Sequence, residues 1–465
     1  MRNHKWRIPL IFAALLAAIL LPGILTGYSE LKRAEAAYDA RDYAGAAELY
    51  ESAARRLPWR RDLWEKAGIS AGEAGNLSRA IDLLLRAPKL SRQGWIVLGY
   101  CYFSTGDLDS ALAAYQSGLD EYGPSASIYH SMSLIYRARR DWVNERSVLE
   151  KQLALDADDA RSHYRLGLLL TVLDPSRAAA ELTTASSLDP EYDSVLQTLR
   201  AALALSAAQI EPSSGMVIIG RALGLVNEWE LAHFAFENAV EADAENAEAW
   251  AWLGEADQQL GQDGRAELDK ALALGNESVV VRGLRGLYWS RHENYTQALA
   301  EYLAASGAEP ENPAWQASIG EMYARLGDLV AALAAYQRAT ELAPADSTYW
   351  RLLAFFCADN AIHIEDIGLP AAQKAAELAP NDIYALDALG YLNLSSGRYF
   401  TAEGMLLDVV SRDRNYLPAH LHLAMAYLAQ GKRAEAFNEL TYVRDADPNG
   451  ANGQFAEQML KQYFP

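Results

Sequence analysis

The chain has 465 residues, with 61 Asp and Glu against 41 Lys and Arg and a formal net charge of −20, a sign that argues against binding nucleic acid or an anionic membrane surface through bulk charge. Its only cysteines, Cys101 and Cys357, cannot make a disulfide framework and read as small buried hydrophobes. That shortage does not decide the compartment, because a prokaryotic envelope protein can lack disulfides.

In chain order the first element is residues 8–27, an uncharged apolar run that would span about 30 Å as a helix, the thickness of a bilayer core. Residues 1–7 precede it as a basic leader, with Arg2, Lys5 and Arg7. By the positive-inside rule the leader stays in the cytoplasm and everything after Tyr28 lies outside. Trp6 and Tyr28 stand where interfacial aromatics are expected. Two readings export the rest of the chain: an uncleaved signal anchor and a cleaved signal peptide. The small-x-small cleavage pattern is poor, its best stretch lying around Thr26 and Gly27, which favours the anchor.

From residue 29 to 448 a 34-residue period takes over. Residues 313–346 state its rule: Trp315, Ile319-Gly320, Tyr323, Gly327-Asp328, Ala332, Tyr336, Ala339 and Pro344. Trp315, Ile319 and Tyr323 share the inward face of a first helix, and Gly320 admits a close neighbour. Gly327 accepts the left-handed backbone that ends this helix, Asp328 caps the next, and Pro344 stops it. The register repeats through Trp64, Gly68, Gly75 and Ala80; Trp95, Gly99, Gly106, Ala111 and Tyr115; Trp250, Gly254 and Gly261; Gly286, Ala298 and Tyr302; Gly390, Gly397 and Ala402; and Ala424, Gly431 and Ala436. Weaker copies begin near residues 29 (Tyr43, Ala46, Tyr50), 126 (Tyr129, Tyr136, Trp142), 160 (Leu166-Gly167) and 347 (Trp350, Ala375).

This pattern resembles the tetratricopeptide repeat (TPR). The resemblance implies an all-α TPR-type α-solenoid, a right-handed superhelix of antiparallel helix pairs, preceded here by one transmembrane helix. About twelve units cover roughly 90% of the chain. Two places break the register. Residues 191–215 match no clean unit and read as a distorted pair or a hinge. Residues 358–370 lengthen a turn, either as a neutral surface insertion or as part of a binding face. Residues 449–465, with Phe455, Met459 and Tyr463, form an amphipathic C-terminal capping helix.

No phosphate loop, Gly-x-Ser-x-Gly elbow, Cys-x2-Cys or His-Glu-x2-His is present, so no catalytic residue, cofactor or metal is expected. His420 and His422 point about 200° apart on a helix and cannot share a metal. His363, Glu365 and Asp366 read as a solvated loop. In TPR stacks the first helix lines a groove. Its slots here hold Ile96, Tyr100 and Phe103; His130, Leu134 and Arg137; Tyr164, Leu168 and Thr171; Ala251, Glu255 and Gln258; Ala317 and Glu321; Arg351 and Phe355; and Asp387, Tyr391 and Leu394. Tyr100, Phe103, Tyr164, Glu321, Phe355 and Tyr391 are the candidate partner contacts, with the aromatic first half as the expected anchor. The Lys and Asn arrangement by which chaperone-binding TPR domains grip a terminal carboxylate is missing. The expectation is a non-enzymatic, membrane-anchored extracytoplasmic scaffold for protein partners in the bacterial cell envelope, in secretion, envelope assembly or polysaccharide export. The alternative is a carbohydrate-contacting subunit of a glycan synthesis or export complex.

Overall fold

A computed structural model describes the backbone of residues 7–465 and the side chains of residues 18–465. Among these residues the only regular elements are helices. They fall into two compact units, one of residues up to 210 with 218–235, the other of residues 211–217 with 236–465. In each unit the hydrophobic core is a chain of local clusters, such as the one around Ile128 and Ile135 in the first and the one around Leu353 and Cys357 in the second. This is the expected consequence of units that bury their faces only against their neighbours.

The helix pairs obey contacts that the repeat pattern encodes. Residues 313–346 fold as Pro313–Leu326 and Leu329–Leu342. Gly327 between them has φ +85, and the Asp328 side chain accepts from the Ala331 amide. A Cβ placed on Gly320 would meet the Tyr336 ring at 3.0 Å, on Gly99 the Tyr115 ring at 2.5 Å, and on Gly390 the Leu406 side chain at 2.8 Å. In each case the partner lies sixteen positions on. The glycine therefore makes room for the large residue of its own second helix, not for the next repeat. Ala46, Ala80, Ala111, Ala178, Ala298, Ala332, Ala402 and Ala436 are all fully buried, in the slot where the two helices of a pair press together.

In several units a side chain near the start of the first helix ties the pair to the preceding turn. Indole N–H groups of Trp250 and Trp350 donate to the carbonyls of Ala244 and Pro344 at 2.9 Å, and that of Trp315 donates to Glu309. His163, Arg282 and His420 occupy the slot of Trp250 and Trp350, with Trp315 one position earlier in its helix; they reach the carbonyls of Ala157, Asn276 and Arg414 and turn their other nitrogens to Glu181, Glu301 and Glu439.

Several details differ from the sequence expectation. Residues 191–215 comprise a short 3-10 turn, the helix Asp193–Ala207 and the start of a new helix, Pro212–Leu225. Ser213 is buried and donates to the Ala239 carbonyl at 2.8 Å, where Pro212 to Gly215 open the helix Pro212–Leu225. The insertion at 358–370 contains the π-helical turn Ile364–Gly368, with Ala361 and His363 at positive φ. Ile362, Ile364 and Ile367 pack on the core, which fixes the insertion in place. Its polar groups are engaged locally, His363 with Asp366 and Glu365 with Arg398, each at 2.9 Å.

The first helix runs Arg7–Asp39 and pairs with Tyr43–Arg56, so the first repeat's leading helix continues directly from the apolar run. Among the described residues no helix is long and apolar enough to cross a membrane. Residues 8–17 of the expected anchor lie outside the residues whose side chains are described. The final helix, Ala451–Tyr463, packs against Arg433–Ala446 and places Ala456 and Leu460 in the terminal cluster.

Candidate functional site

In the second unit, three consecutive first helices, Ser347–Asp359, Ile383–Ser395 and Leu417–Ala429, bring one ring each together. Phe355, Tyr391 and His422 come from these helices in turn. Tyr391 and His422 stack with ring centroids 4.0 Å apart and planes 9° from parallel, and Phe355 lies 6.4 Å from each. Such a face offers apolar area at low entropic cost, because each ring has few rotatable bonds.

Beneath the rings, Asp387 is fully buried and accepts two hydrogen bonds, from the Tyr416 hydroxyl at 3.0 Å and from His422 Nδ1 at 2.8 Å. Those bonds hold the imidazole flat against Tyr391 and satisfy a carboxylate that burial would otherwise penalise. Burial and the nearby Asp387 push the Tyr416 hydroxyl far above the ordinary tyrosine range. The Tyr391 hydroxyl is pushed up to about 12, by burial first and then by Asp359, to which it donates. Asp359 opens onto the face, yet crowding by the surrounding walls raises its carboxyl above the usual range. Next to it a cleft of about 500 Å³ runs to the preceding pair, lined by Glu321, Arg325, Tyr336, Phe355 and Asp359 among others.

Three of the six candidate contacts therefore meet here: Phe355, Tyr391 and, along the same cleft, Glu321. The other three lie in the first unit, each in its own surroundings. Tyr100 is 52% exposed. Phe103 packs on the Ile128 and Met132 cluster. Tyr164 lies parallel to Tyr192 at 4.3 Å, and burial takes its hydroxyl to about 12. Other slots are closed: Leu168, Thr171 and Ala251 are fully buried, and Glu255 is held by both Arg291 nitrogens at 2.7 and 2.9 Å.

The sequence reading passed over His422, Asp359 and Tyr416. His422 stands 35 residues after Asp387, one position past the slot that Leu421 holds, so following the groove slots one repeat further would not have found it. His420 is occupied elsewhere by Glu439 and the Arg414 carbonyl, so the two histidines do serve opposite faces.

A tetratricopeptide-repeat family model matches residues 31–94, 66–126 and 285–347. Human Superkiller complex protein 3 is 21% identical over 366 residues, 73% of this chain and 19% of that protein. The mouse protein of the same name is 26% identical over 270 residues, 55% of this chain and 16% of that protein. The chain thus spans less than a fifth of the length of these relatives. Among solved structures, the APC/C hetero-tetramer Cut9–Hcn1 is similar at 16% identity and TM-score 0.42, covering 93% of this chain and 95% of that one. Yeast Tom70 is similar at 15% and 0.42, covering 94% and 95%, and MamA at 18% and 0.31, covering 35% and 95%. Residues 31–126 and 285–347 carry tetratricopeptide repeats, and the described elements of each unit are the helix pairs of an all-α, TPR-like stack.

Proposed function

We propose that this chain is a non-catalytic scaffold that binds a protein partner through the Phe355, Tyr391 and His422 face of its second unit. The observation that carries the reading is the stack of rings from three successive helices beside an open cleft. Aromatic side chains held rigidly beside a cleft are the usual anchors of recognition. The relatives' names place them in a complex, which accords with a subunit role. Phe355→Ala combined with Tyr391→Ala tests the site. Cross-linked partners should be lost while the helical circular dichroism and melting temperature stay within a few degrees of the parent. Partners retained by a folded variant would remove the assignment.

The further reading, that residues 8–27 anchor the chain and the repeats lie on the extracytoplasmic side of a bacterial membrane, rests on Arg2, Lys5 and Arg7 before the apolar run. The exposed Ile19, Leu20, Leu21 and Leu25 of the first helix support it, since such a surface calls for an apolar environment. Protease added outside spheroplasts should degrade the repeats, and the full-length chain should fractionate with membranes. Protected repeats would overturn the topology.

A further inference from the structure

The negative charge of this chain is concentrated in its second half. Residues 236–465 carry 33 Asp and Glu against 16 Lys and Arg, whereas residues 1–235 carry 28 against 25. On the ring-bearing face the carboxylates divide into two kinds. Glu255 and Asp387 are satisfied internally, by Arg291 and by Tyr416 with His422. Asp359 and Glu321 are not. Asp359 makes no ion pair among the described residues, its donor being the neutral Tyr391 hydroxyl. The Glu321 side chain is 52% exposed, with Arg325 no nearer than 3.8 Å. Both line the same cleft as Phe355.

A cleft with an aromatic wall and two carboxylates that share one nearby arginine, Arg325, keeps a net negative charge and is complementary to a cation carried on an apolar stem. A guanidinium satisfies both demands, stacking on a ring and donating in a planar fork to carboxylates. A terminal carboxylate or an acidic peptide would add like charge beside Asp359 and Glu321. Of the arginines near this face, Arg325 lines the cleft and pairs loosely with Glu321 at 3.8 Å, and Arg351 lies over the Tyr384 ring at 5.1 Å.

We propose that the cleft between Glu321, Phe355 and Asp359 receives an arginine or lysine side chain from a basic, extended segment of the partner protein, with Tyr391 and His422 covering the adjoining residues. This deepens the partner-binding reading and depends on it. The long-range field of the second half steers such a segment to the face, so association falls as salt rises.

The full chain is panned against a displayed library of random 12-residue peptides, in parallel with Asp359→Asn/Glu321→Gln and with Phe355→Ala/Tyr391→Ala. The parent should enrich arginine-bearing sequences that neither variant retains. A synthetic peptide of the winning sequence, followed by fluorescence anisotropy, should bind Asp359→Asn about tenfold more weakly, the loss of one charge-assisted contact. Its affinity for the parent should also fall with added salt, while the melting temperature of the variant is unchanged. Acidic or neutral sequences lost only in the aromatic variant would overturn the basic-segment proposal and leave the partner-binding face standing. No enrichment, or a pool retained by both variants, would overturn both.

Discussion

Glu145 offers the sharpest test of how this fold distributes its energy. It stands in the slot that holds a fully buried alanine in most other units, including Ala111 before it and Ala178 after it, and is itself fully buried. Its carboxylate is held by Arg165 through Nε at 2.7 Å and Nη2 at 3.0 Å, and by Arg137 at 3.2 Å. The Arg165 side chain is 8% exposed and lies over Trp142 at 5.6 Å. Because alanine already fits this slot elsewhere, Glu145→Ala introduces no steric fault. What it leaves is an unpaired buried guanidinium, a defect that typically costs about 3–5 kcal/mol. Arg165 keeps only Glu228, at 3.4 Å, so the expected loss is at the lower end, about 3 kcal/mol. Replacing both partners, Glu145→Ala with Arg165→Leu, removes the buried charge altogether and should restore all but about 1 kcal/mol. A repeat array need not unfold in one step, so the cycle is best read by hydrogen exchange, where protection in residues 126–188 should fall in the single variant and return in the double. A harmless Glu145→Ala, or a double variant at least as unstable as the single, would refute the reasoning.

The glycines make a graded series. Gly286→Ala would press a Cβ into the Tyr302 ring, 2.7 Å from Cδ1 and 2.8 Å from Cζ, whereas Gly404 has nothing within 4 Å. Thermal unfolding should show the first destabilised by about 1–3 kcal/mol and the second stabilised by about 0.5–1 kcal/mol; equal effects would disprove the close-approach role. Arg140 and Glu293 hold φ of +55 and +57 in the turn position where Gly327 has +85. Arg140→Gly and Glu293→Gly should each raise the denaturant midpoint, by about 1 kcal/mol of relieved left-handed strain, and lowered midpoints would show that the turn tolerates a side chain without cost. Burial raises the Glu228 carboxyl above its ordinary value of 4.5, with Arg165 and Arg137 opposing. The folded state thus keeps this proton to higher pH than the unfolded state, and the stability it contributes is lost as pH rises above 4.5. Melting of Glu228→Gln should match the parent near pH 4.5 and exceed it at pH 7; a gap that widens on acidification has the wrong sign.

The repeat, its helix pairs and most turns can be read from residue spacing alone, because they depend on contacts between residues a fixed distance apart. Gly99 must clear Tyr115 and Gly390 must clear Leu406 at the same separation, and Gly327-Asp328 spells its turn with backbone freedom and a cap. Tertiary structure decided the rest. Arg140 and Glu293 adopt the glycine conformation because the helices on either side must still return antiparallel, so packing overrides local preference. Glu145 reads as a lapse in the pattern until Arg165, twenty residues away, is seen beside it. Tyr164 and Tyr391 both stand in groove slots of first helices, yet one is stacked on Tyr192 and the other on His422 beside an open cleft. The local pattern specifies which face of a helix turns inward. Whether a ring on that face is covered depends on the side chains that the next pairs bring against it, and those are set by packing between units rather than by spacing within one.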